Sequence, residues 1–228
     1  MKEGLVADEN PLHRLKGHLV SLSGIDGTGK TSIAMKLKNE LDSTGVTCDY
    51  VWFRNARFLS LQFLALCYLA GFAEIAMING KRVGVYYFYK SNLVAHLWLW
   101  ISAADMLVVS LWKIQLPLWR GNTVIADRYV IDALVDLVSD TGVTNLDICP
   151  YKLMLRLLDR RSSTVILTVD NDESLRRKDD SISSEYLIQR QQLYQSIAQE
   201  LDIPTIDANP SFDIVWPQVV SALLRQIA

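Results

Sequence analysis

The sequence has few cysteines and no large excess of either charge. Its 228 residues include three cysteines, none of which belongs to a CxxC pair: Cys48, Cys67 and Cys149. This number supports neither a disulfide framework nor a zinc site, and it is typical of proteins in a reducing compartment. A formal net charge of -2 argues against a general nucleic-acid coat protein or a polybasic membrane binder, because both need a strong positive field.

The chain also lacks an obvious membrane span, although half of its residues are hydrophobic. The uncharged stretches 58–73 and 91–104 fall short of the roughly 18 to 20 apolar residues that a bilayer requires. Residues 1–16 carry six charges and no apolar stretch, so we expect no secretory signal. We therefore expect a cytoplasmic protein with no stable membrane insertion and no nucleic-acid partner. The apolar middle is then either core or an association surface.

Five short strand-like segments alternate with helical patterns along the chain. The strand-like segments are 18–23, 47–53, 122–126, 163–169 and 204–207. Helical patterns cover 30–41, 130–139, 183–201 and 212–227, and a long apolar helical region lies in the middle. The alternation predicts an α/β fold with three layers, in which helices flank a five-stranded parallel sheet. Residues 1–17 form an N-terminal extension in this interpretation, and 18–228 form one domain.

A glycine-rich segment carries the strongest chemical signal. It follows a predicted strand, opens a predicted helix and matches the pattern GxxxxGK[ST] with Gly24, Ile25, Asp26, Gly27, Thr28, Gly29, Lys30 and Thr31. Backbone N–H groups of such a loop bind phosphate oxygens together with the helix N-terminus, and the lysine reaches the outer phosphates. The Thr31 hydroxyl can ligate Mg²⁺, and Ser32 adds another hydroxyl. The segment predicts a nucleoside triphosphate site over residues 24–32.

A second signal lies at the end of the strand predicted at 122–126. Asp127 is at its carboxyl end, where a carboxylate beside a phosphate loop can hold Mg²⁺ through water. Arg128 follows and is a candidate phosphate ligand in the same crevice. The alternative is a capping aspartate with a surface arginine. The phosphate-loop pattern favours the magnesium role.

Three segments, in this order, resemble the thymidylate kinase family of P-loop kinases. They are SGIDGTGKT at 23–31, WFR at 52–54 and GNTVIADRY at 121–129. The resemblance runs from about residue 18 to the C-terminus. It implies the nucleoside monophosphate kinase fold, ATP with Mg²⁺ as the phosphoryl donor, and a mobile lid at about 176–184 that supplies positive charge.

The same resemblance implies roles for individual residues. Asp26 would contact a sugar hydroxyl of the acceptor, and Arg54 and Arg128 its phosphate. Asp127 would belong to the magnesium shell, and Lys30 would contact the transferred phosphate. Gly27 stands where some members carry an arginine, and members without it use basic lid residues, here Arg176, Arg177 and Lys178.

The sequence departs from the family where the acceptor base is recognised. The family has an arginine and a polar residue on the helix before the Asp-Arg-Tyr strand, whereas this chain has Met106 and Val108. After that strand it has Asp132 and Asp136, one helical turn apart. These carboxylates could bind acceptor hydroxyls, and one could act as a general base. Alternatively, both face solvent or pair with Arg54, Arg57 or Arg128, because the apolar residues of this helix lie on its other side.

Three functional hypotheses follow. The first is a Mg²⁺-dependent kinase that transfers the γ-phosphoryl of ATP to a nucleoside monophosphate, with dTMP favoured by the resemblance. The second keeps the kinase and changes the acceptor to another nucleotide or a hydroxyl-bearing metabolite. The third is a nucleotide-binding interaction protein without turnover. The apolar region at about 57–119 corresponds to the acceptor pocket and dimer face of the family, so the resemblance also suggests a homodimer.

Overall fold

The fold is built from strands and helices that alternate along the chain. The computed structural model describes residues 10–53, 58–78, 81–158, 161–170, 173–174, 176 and 184–227. Its strands are β1 (Leu19–Gly24), β2 (Cys48–Trp52), β3 (Ala73–Ile78), β4 (Lys81–Tyr86), β5 (Thr123–Asp127), β6 (Ser162–Thr168) and β7 (Thr205–Asp207). Its α-helices are α1 (Lys30–Ser43), α2 (Ser60–Leu69), α3 (Asn92–Ser110), α4 (Leu116–Trp119), α5 (Val130–Thr141), α6 (Cys149–Leu155), α7 (Ser184–Glu200) and α8 (Phe212–Arg225).

Five of the strands form an all-parallel sheet in the order β2-β5-β1-β6-β7. In the centre, Leu19 of β1 lies beside Val124 of β5 on one side and Ser162 of β6 on the other. The predicted five-stranded parallel sheet is confirmed, and each predicted strand overlaps an observed one. Parallel strands are covered on both faces, which is why they stand out in the sequence as short apolar runs.

Successive residues of the central strand point to opposite faces of the sheet. Leu19 belongs to a core cluster with residues of α2, α3, α5, α6 and α7, whereas Val20 belongs to a cluster with residues of α1 and α8. A short 3-10 helix at Pro11–Leu15 adds Leu12 and Leu15 to the second cluster. The sheet is therefore the middle of three layers, as the sequence predicted.

The antiparallel hairpin β3-β4 corrects the sequence prediction, which assigned its residues to helices. Ala73 pairs with Tyr86, and Met77 pairs with Arg82. The sequence of β3 is almost wholly apolar, so periodicity did not separate strand from helix. The dipeptide Asn79-Gly80, between two runs of strand length, is the sequence signal that would have predicted a hairpin.

One continuous helical segment, Asn92–Trp119, consists of α3, a π-helical turn at Leu111–Gln115 and α4. The wider turn directly precedes Pro117, which has no N–H group and would clash with the preceding turn of a regular helix. By length and composition the segment could cross a membrane, although part of it is buried within the fold. The uncharged stretch 91–104 is shorter than a bilayer span, but the helix continues beyond it through Asp105 and Lys113.

Asp105, in the middle of α3, is fully buried and holds α2 in place. Its carboxylate accepts hydrogen bonds from the N–H groups of Phe58, Leu59 and Ser60 at 2.7–2.9 Å and from the Ser60 hydroxyl at 2.6 Å. Burial alone would raise the pKa of this carboxyl, but the hydrogen bonds lower it below its usual value. The N-cap residue of α2 makes no side-chain hydrogen bond, so Asp105 caps this helix from a neighbouring one.

We predict that Asp105→Ala lowers the free energy of unfolding by about 2–4 kcal/mol, because buried N–H groups and a hydroxyl lose their acceptor. The loss should shrink at acid pH. A carboxyl with a lowered folded-state pKa stabilises the fold above its unfolded pKa, and this contribution disappears as the pH falls through the folded value. Urea unfolding at several pH values measures the effect. Asp213→Ala, which removes an exposed acid from the first turn of α8, is the control, and an equal loss in both variants would contradict the capping role.

Candidate active site

The phosphate-loop pattern lies at the edge of the sheet where β1, β5 and β6 end. The connection from β1 to β2 runs past β5, whereas the connection from β5 to β6 runs past β1. Connections that leave neighbouring strands in opposite directions open a crevice at the carboxyl ends of those strands. The candidate segments 24–32 and 127–132 both begin at this edge. The topology therefore places them around one crevice.

The loop between β1 and α1 requires glycine and ends in an open helix N-terminus. Gly24 has φ +136°, and a Cβ atom there would lie 2.2 Å from the carbonyl oxygen of Leu167. Gly29, the N-cap of α1, has φ +80°, and a Cβ atom there would meet nothing within 4 Å. The first turn of α1 has no side-chain cap and no acidic residue. Its N–H groups, which have no acceptor within the helix, therefore offer a site for an anion.

Lys30 is folded back onto this loop. Its Nζ donates to the carbonyl oxygen of Ile25 at 2.6 Å and to the Thr28 hydroxyl at 3.1 Å, and the residue is 5% exposed. Burial, together with the positive charge of Arg128, lowers the pKa of Lys30 to about 7, although three nearby carboxylates oppose the shift. A bound phosphate would add negative charge and favour the protonated form.

Thr31 and Asp127 meet at the start of α1. Thr31 Oγ1 donates to Asp127 Oδ2 at 2.5 Å, and the hydroxyl of Tyr50 donates to the same oxygen at 3.0 Å. Burial and the Asp127 charge raise the pKa of Tyr50 to about 12, so this hydroxyl stays protonated at neutral pH. The sequence predicted Thr31 and Asp127 as a pair, and the structure brings them into contact.

The oxygen atoms of this pair fit the predicted Mg²⁺ ion. Among the described residues, no group of three or more His, Cys, Asp or Glu side chains could form a protein cage for a metal. Mg²⁺ does not need such a cage, because it is usually held by one or two protein oxygens and completes its shell with water and phosphate oxygens. Thr31 and Asp127 offer one hydroxyl and one carboxylate beside the phosphate loop.

Arg128 is the centre of a buried charge network. Its backbone has φ +71°, an uncommon conformation for a residue with a Cβ atom. Its guanidinium pairs with Asp26 of the phosphate loop and donates to Asp132 Oδ1 at 3.0 Å. Burial alone would lower the pKa of Arg128, but the charges of Asp132 and Asp26 raise it. Three residues assigned to the acceptor site are thus in direct contact.

Asp132 is buried, although the helical pattern placed it on the side of α5 away from the core. Besides Arg128, it accepts hydrogen bonds from the hydroxyl of Tyr194 at 2.7 Å and from the N–H of Tyr129 at 3.3 Å. Helix α5 contacts α3, α6 and α7 as well as β1. The expectation of a solvent-facing side failed because the helix is surrounded, whereas the alternative of a pair with Arg128 is observed.

Asp136 forms a separate ion pair one turn further along α5. Arg190 Nη1 of α7 lies 2.5 Å from Asp136 Oδ1, and the Arg190 guanidinium lies 5.5 Å from the centroid of the Tyr186 ring. Arg190 is almost completely buried. The second carboxylate of the predicted acceptor site is therefore engaged by a residue that the sequence analysis did not consider.

Sequence reasoning missed three residues of this region: Tyr50, Tyr194 and Arg190. Tyr50 lies 77 positions from Asp127, and Tyr194 lies 62 positions from Asp132. No short sequence pattern indicates a contact between residues that lie so far apart in the chain. The strand order supplies the missing information for Tyr50, because β2 pairs directly with the strand that ends in Asp127.

The predicted lid is described only in part. Arg176 is exposed and donates to the carboxylate of Glu173 through Nε at 2.7 Å and Nη2 at 2.8 Å. The hydroxyl of Ser174 donates to the carbonyl oxygen of Asp26 at 2.8 Å and connects this segment to the phosphate loop. Four predicted basic residues lie outside the described part of the chain: Arg54, Arg57, Arg177 and Lys178.

Helix α3 has no polar side chain at the family's base-reading position. Met106 is buried in the core cluster, whereas Val108 is exposed. Ser110, one turn beyond Met106, contacts the hydroxyl of Tyr129. At the position where the family has hydrogen-bonding side chains, α3 therefore presents apolar ones.

We predict that Lys30→Met stabilises the ligand-free protein, and more at about pH 6 than at about pH 9. Burial lowers the pKa of Lys30 in the folded protein to about 7, whereas its value in the unfolded chain is 10.5. Below pH 7 the lysine is charged in both states, and its burial opposes folding fully. This penalty is lost as the pH rises toward 10.5. The gain near pH 6 should be on the order of 2 kcal/mol. Urea unfolding measures it. Lys36→Met, which replaces a more exposed lysine of the same helix, is the control. A gain from Lys30→Met that does not vary with pH would contradict the assignment.

Comparison with known proteins adds no relative. No protein-family model matches the chain, and no curated protein sequence matches it. The fold is an α/β fold whose five-stranded, all-parallel sheet is flanked by helices. The resemblance to thymidylate kinases therefore rests on the three motif segments, and the functional argument rests on the geometry of the site.

Proposed function

We propose that the protein is a Mg²⁺-dependent phosphotransferase of the cytoplasm that transfers the γ-phosphoryl of ATP to a nucleoside monophosphate. The acceptor favoured by the motif resemblance is dTMP, which would give dTDP. The observation that carries the proposal is the meeting of Lys30, the Thr31–Asp127 pair and Arg128 around an open helix N-terminus. Phosphoryl transfer requires positioning and positive charge, and this arrangement supplies both.

On the donor side, the loop 24–29 and the first turn of α1 bind the phosphate chain of ATP through backbone N–H groups. Lys30 exchanges its hydrogen bonds with the loop for the outer phosphates, which favour its charged form. Bound Mg²⁺ supplies further neutralisation of the phosphate charge. Thr31 and Asp127 would hold it, and the hydrogen bond from Tyr50 orients the Asp127 carboxylate.

On the acceptor side, Arg128 must exchange partners when a monophosphate binds. Two carboxylates, from Asp26 and Asp132, neutralise its guanidinium. An acceptor phosphate that binds Arg128 releases Asp26, which can then accept a hydrogen bond from a sugar hydroxyl. A phosphate acceptor is already ionised at neutral pH, so no general base is required, and the residues act by positioning and charge neutralisation.

A second candidate keeps the same donor chemistry and uses a hydroxyl group as the acceptor. The observation that favours it is the buried carboxylate of Asp132 beside Arg128, together with the apolar Met106 at the base-reading position. A carboxylate at the acceptor repels a phosphate, but it can bind a hydroxyl and take its proton during the transfer. Asp132 would then be the general base.

The decisive experiment measures ADP release from ATP and Mg²⁺ with a panel of nucleoside monophosphates, nucleosides and sugars. We expect selective stimulation by a monophosphate, with dTMP first. Lys30→Ala should lower turnover by about 10²–10³-fold, because the transferred phosphate loses a charged partner. Lys36→Ala on the same helix is the matched control and should retain activity. Binding of ATP without stimulation by any acceptor would overturn the proposal in favour of a nucleotide-binding interaction protein.

Asp132→Asn distinguishes the two acceptor classes. The amide oxygen can still accept hydrogen bonds from Arg128 and Tyr194, but the side chain no longer carries a charge or takes a proton. With a monophosphate acceptor, we expect kcat to stay within about tenfold and the KM for the acceptor to fall, because Arg128 is less neutralised. With a hydroxyl acceptor, kcat should fall by about 10²–10⁴-fold. Steady-state kinetics with the acceptor found in the panel measures both values.

A further inference from the structure

Most exposed side chains of the helical segment 92–119 are apolar, as are most of its buried ones, and Asn92, His96 and Lys113 are the exposed polar residues. The exposed residues Leu93, Leu97, Trp100, Val108 and Leu111 follow spacings of three, four and eight positions and share one side of the helix. The buried residues lie on the other side, and they include Ala95, Leu99, Ala103, Met106 and Ser110. We call the five exposed residues, with Trp112 and Trp119, the apolar face. A helix that is apolar all round is normally covered by something on both sides.

The apolar face carries tryptophan residues, and basic residues flank the segment. This combination is common where the acyl chains of a bilayer meet the lipid headgroups. Trp119 is 71% exposed and precedes Arg120 at the C-terminal end of the segment, and Trp112 is 72% exposed. Lys90 lies exposed before the first turn of α3. Tryptophan rings favour the boundary between acyl chains and headgroups, and long basic side chains extend from there to phosphate groups.

Charge is distributed unevenly between this region and the rest of the chain. Residues 58–121 contain five of the 23 Lys and Arg but only two of the 25 Asp and Glu, namely Glu74 and Asp105. Of these two acids, Asp105 is buried beneath the N-terminus of α2. The apolar region is therefore basic at its surface, whereas the rest of the chain is acidic. Such a region is complementary to a surface with negative charge.

We propose that the apolar face binds the surface of a bilayer that contains anionic lipids. Leucine and tryptophan side chains enter the boundary of the acyl chains, and Lys90 and Arg120, before and after the segment, contact lipid phosphates. The segment lies along the surface and does not cross the bilayer, because the hydrogen bonds of Asp105 hold α3 against α2. This inference is independent of the proposed enzymatic activity.

A second copy of the chain fits the same face less well. In a twofold dimer the same patch meets itself, so both sides of the interface carry the same net positive charge. Like charges across an interface oppose association, whereas anionic headgroups neutralise each of them. The charge of the region therefore favours a lipid surface as the occupant.

The test is sedimentation of the full-length protein with vesicles of phosphatidylcholine, with and without phosphatidylserine. We expect binding to the vesicles that contain phosphatidylserine, with a shift of tryptophan fluorescence to shorter wavelength and a loss of binding at high salt. The double variant Lys90→Gln/Arg120→Gln should lower the partition coefficient on the order of tenfold. Lys152→Gln/Arg225→Gln removes the same charge from exposed positions elsewhere and should bind as the parent protein does.

A second pair of variants tests the apolar contribution. Leu111→Gln/Trp112→Gln changes two exposed residues of the face and should lower vesicle binding by at least about tenfold without loss of folding. Ile188→Gln/Ile214→Gln, at exposed positions of α7 and α8, is the control. Equal binding to both vesicle types, or no binding to either, would overturn the proposal. A dimer by light scattering that Leu111→Gln/Trp112→Gln converts to a monomer, without vesicle binding by the parent, would assign the face to a second copy instead.

Discussion

The ion pairs of Arg128 connect the parts of the molecule on which the site depends. A buried guanidinium is tolerated only when carboxylates surround it, and here they come from the phosphate loop and from α5 through Asp26 and Asp132. Tyr194 extends the network to α7. The charge of Arg128 therefore links the loop that contains Asp26, the end of β5, and the helices α5 and α7. A ligand that took a carboxylate partner from Arg128 would change the contacts of the loop, the strand end and both helices. The observed ion pairs and a ligand bound to Arg128 would therefore exclude each other.

The sheet could be predicted from the sequence because parallel strands are buried on both faces and leave continuous apolar runs. The same reasoning failed for α5. It assumes that a helix has one buried side, but Asp132 is buried among polar partners on the other side. It failed again for the hairpin, where apolar residues without alternation led to a helix prediction and the Asn79-Gly80 signal was not used.

The site itself was predictable where its chemistry is local in sequence. The phosphate-loop pattern is continuous in sequence, and its position after a strand is the basis for the roles proposed for Lys30 and Thr31. The partners of these residues were less accessible, because Tyr50, Tyr194 and Arg190 reach the site only through the strand order and the packing of α7 on α5. Asp105 is a similar case: no pattern indicates that an acid within α3 caps α2 from 45 positions away.

The position of α3 connects the apolar face with the site. Its buried side carries Ser110, whose hydroxyl contacts that of Tyr129, the residue that follows Arg128 in the chain. Its middle carries Asp105, which fixes the residues directly after segment 54–57. A surface that covers the exposed side of this helix therefore stabilises an element that contacts both the start of α2 and Tyr129. Because a ligand that binds the folded state favours the contacts present in that state, occupation of the apolar face should strengthen the contacts of Asp105 with α2 and of Ser110 with Tyr129.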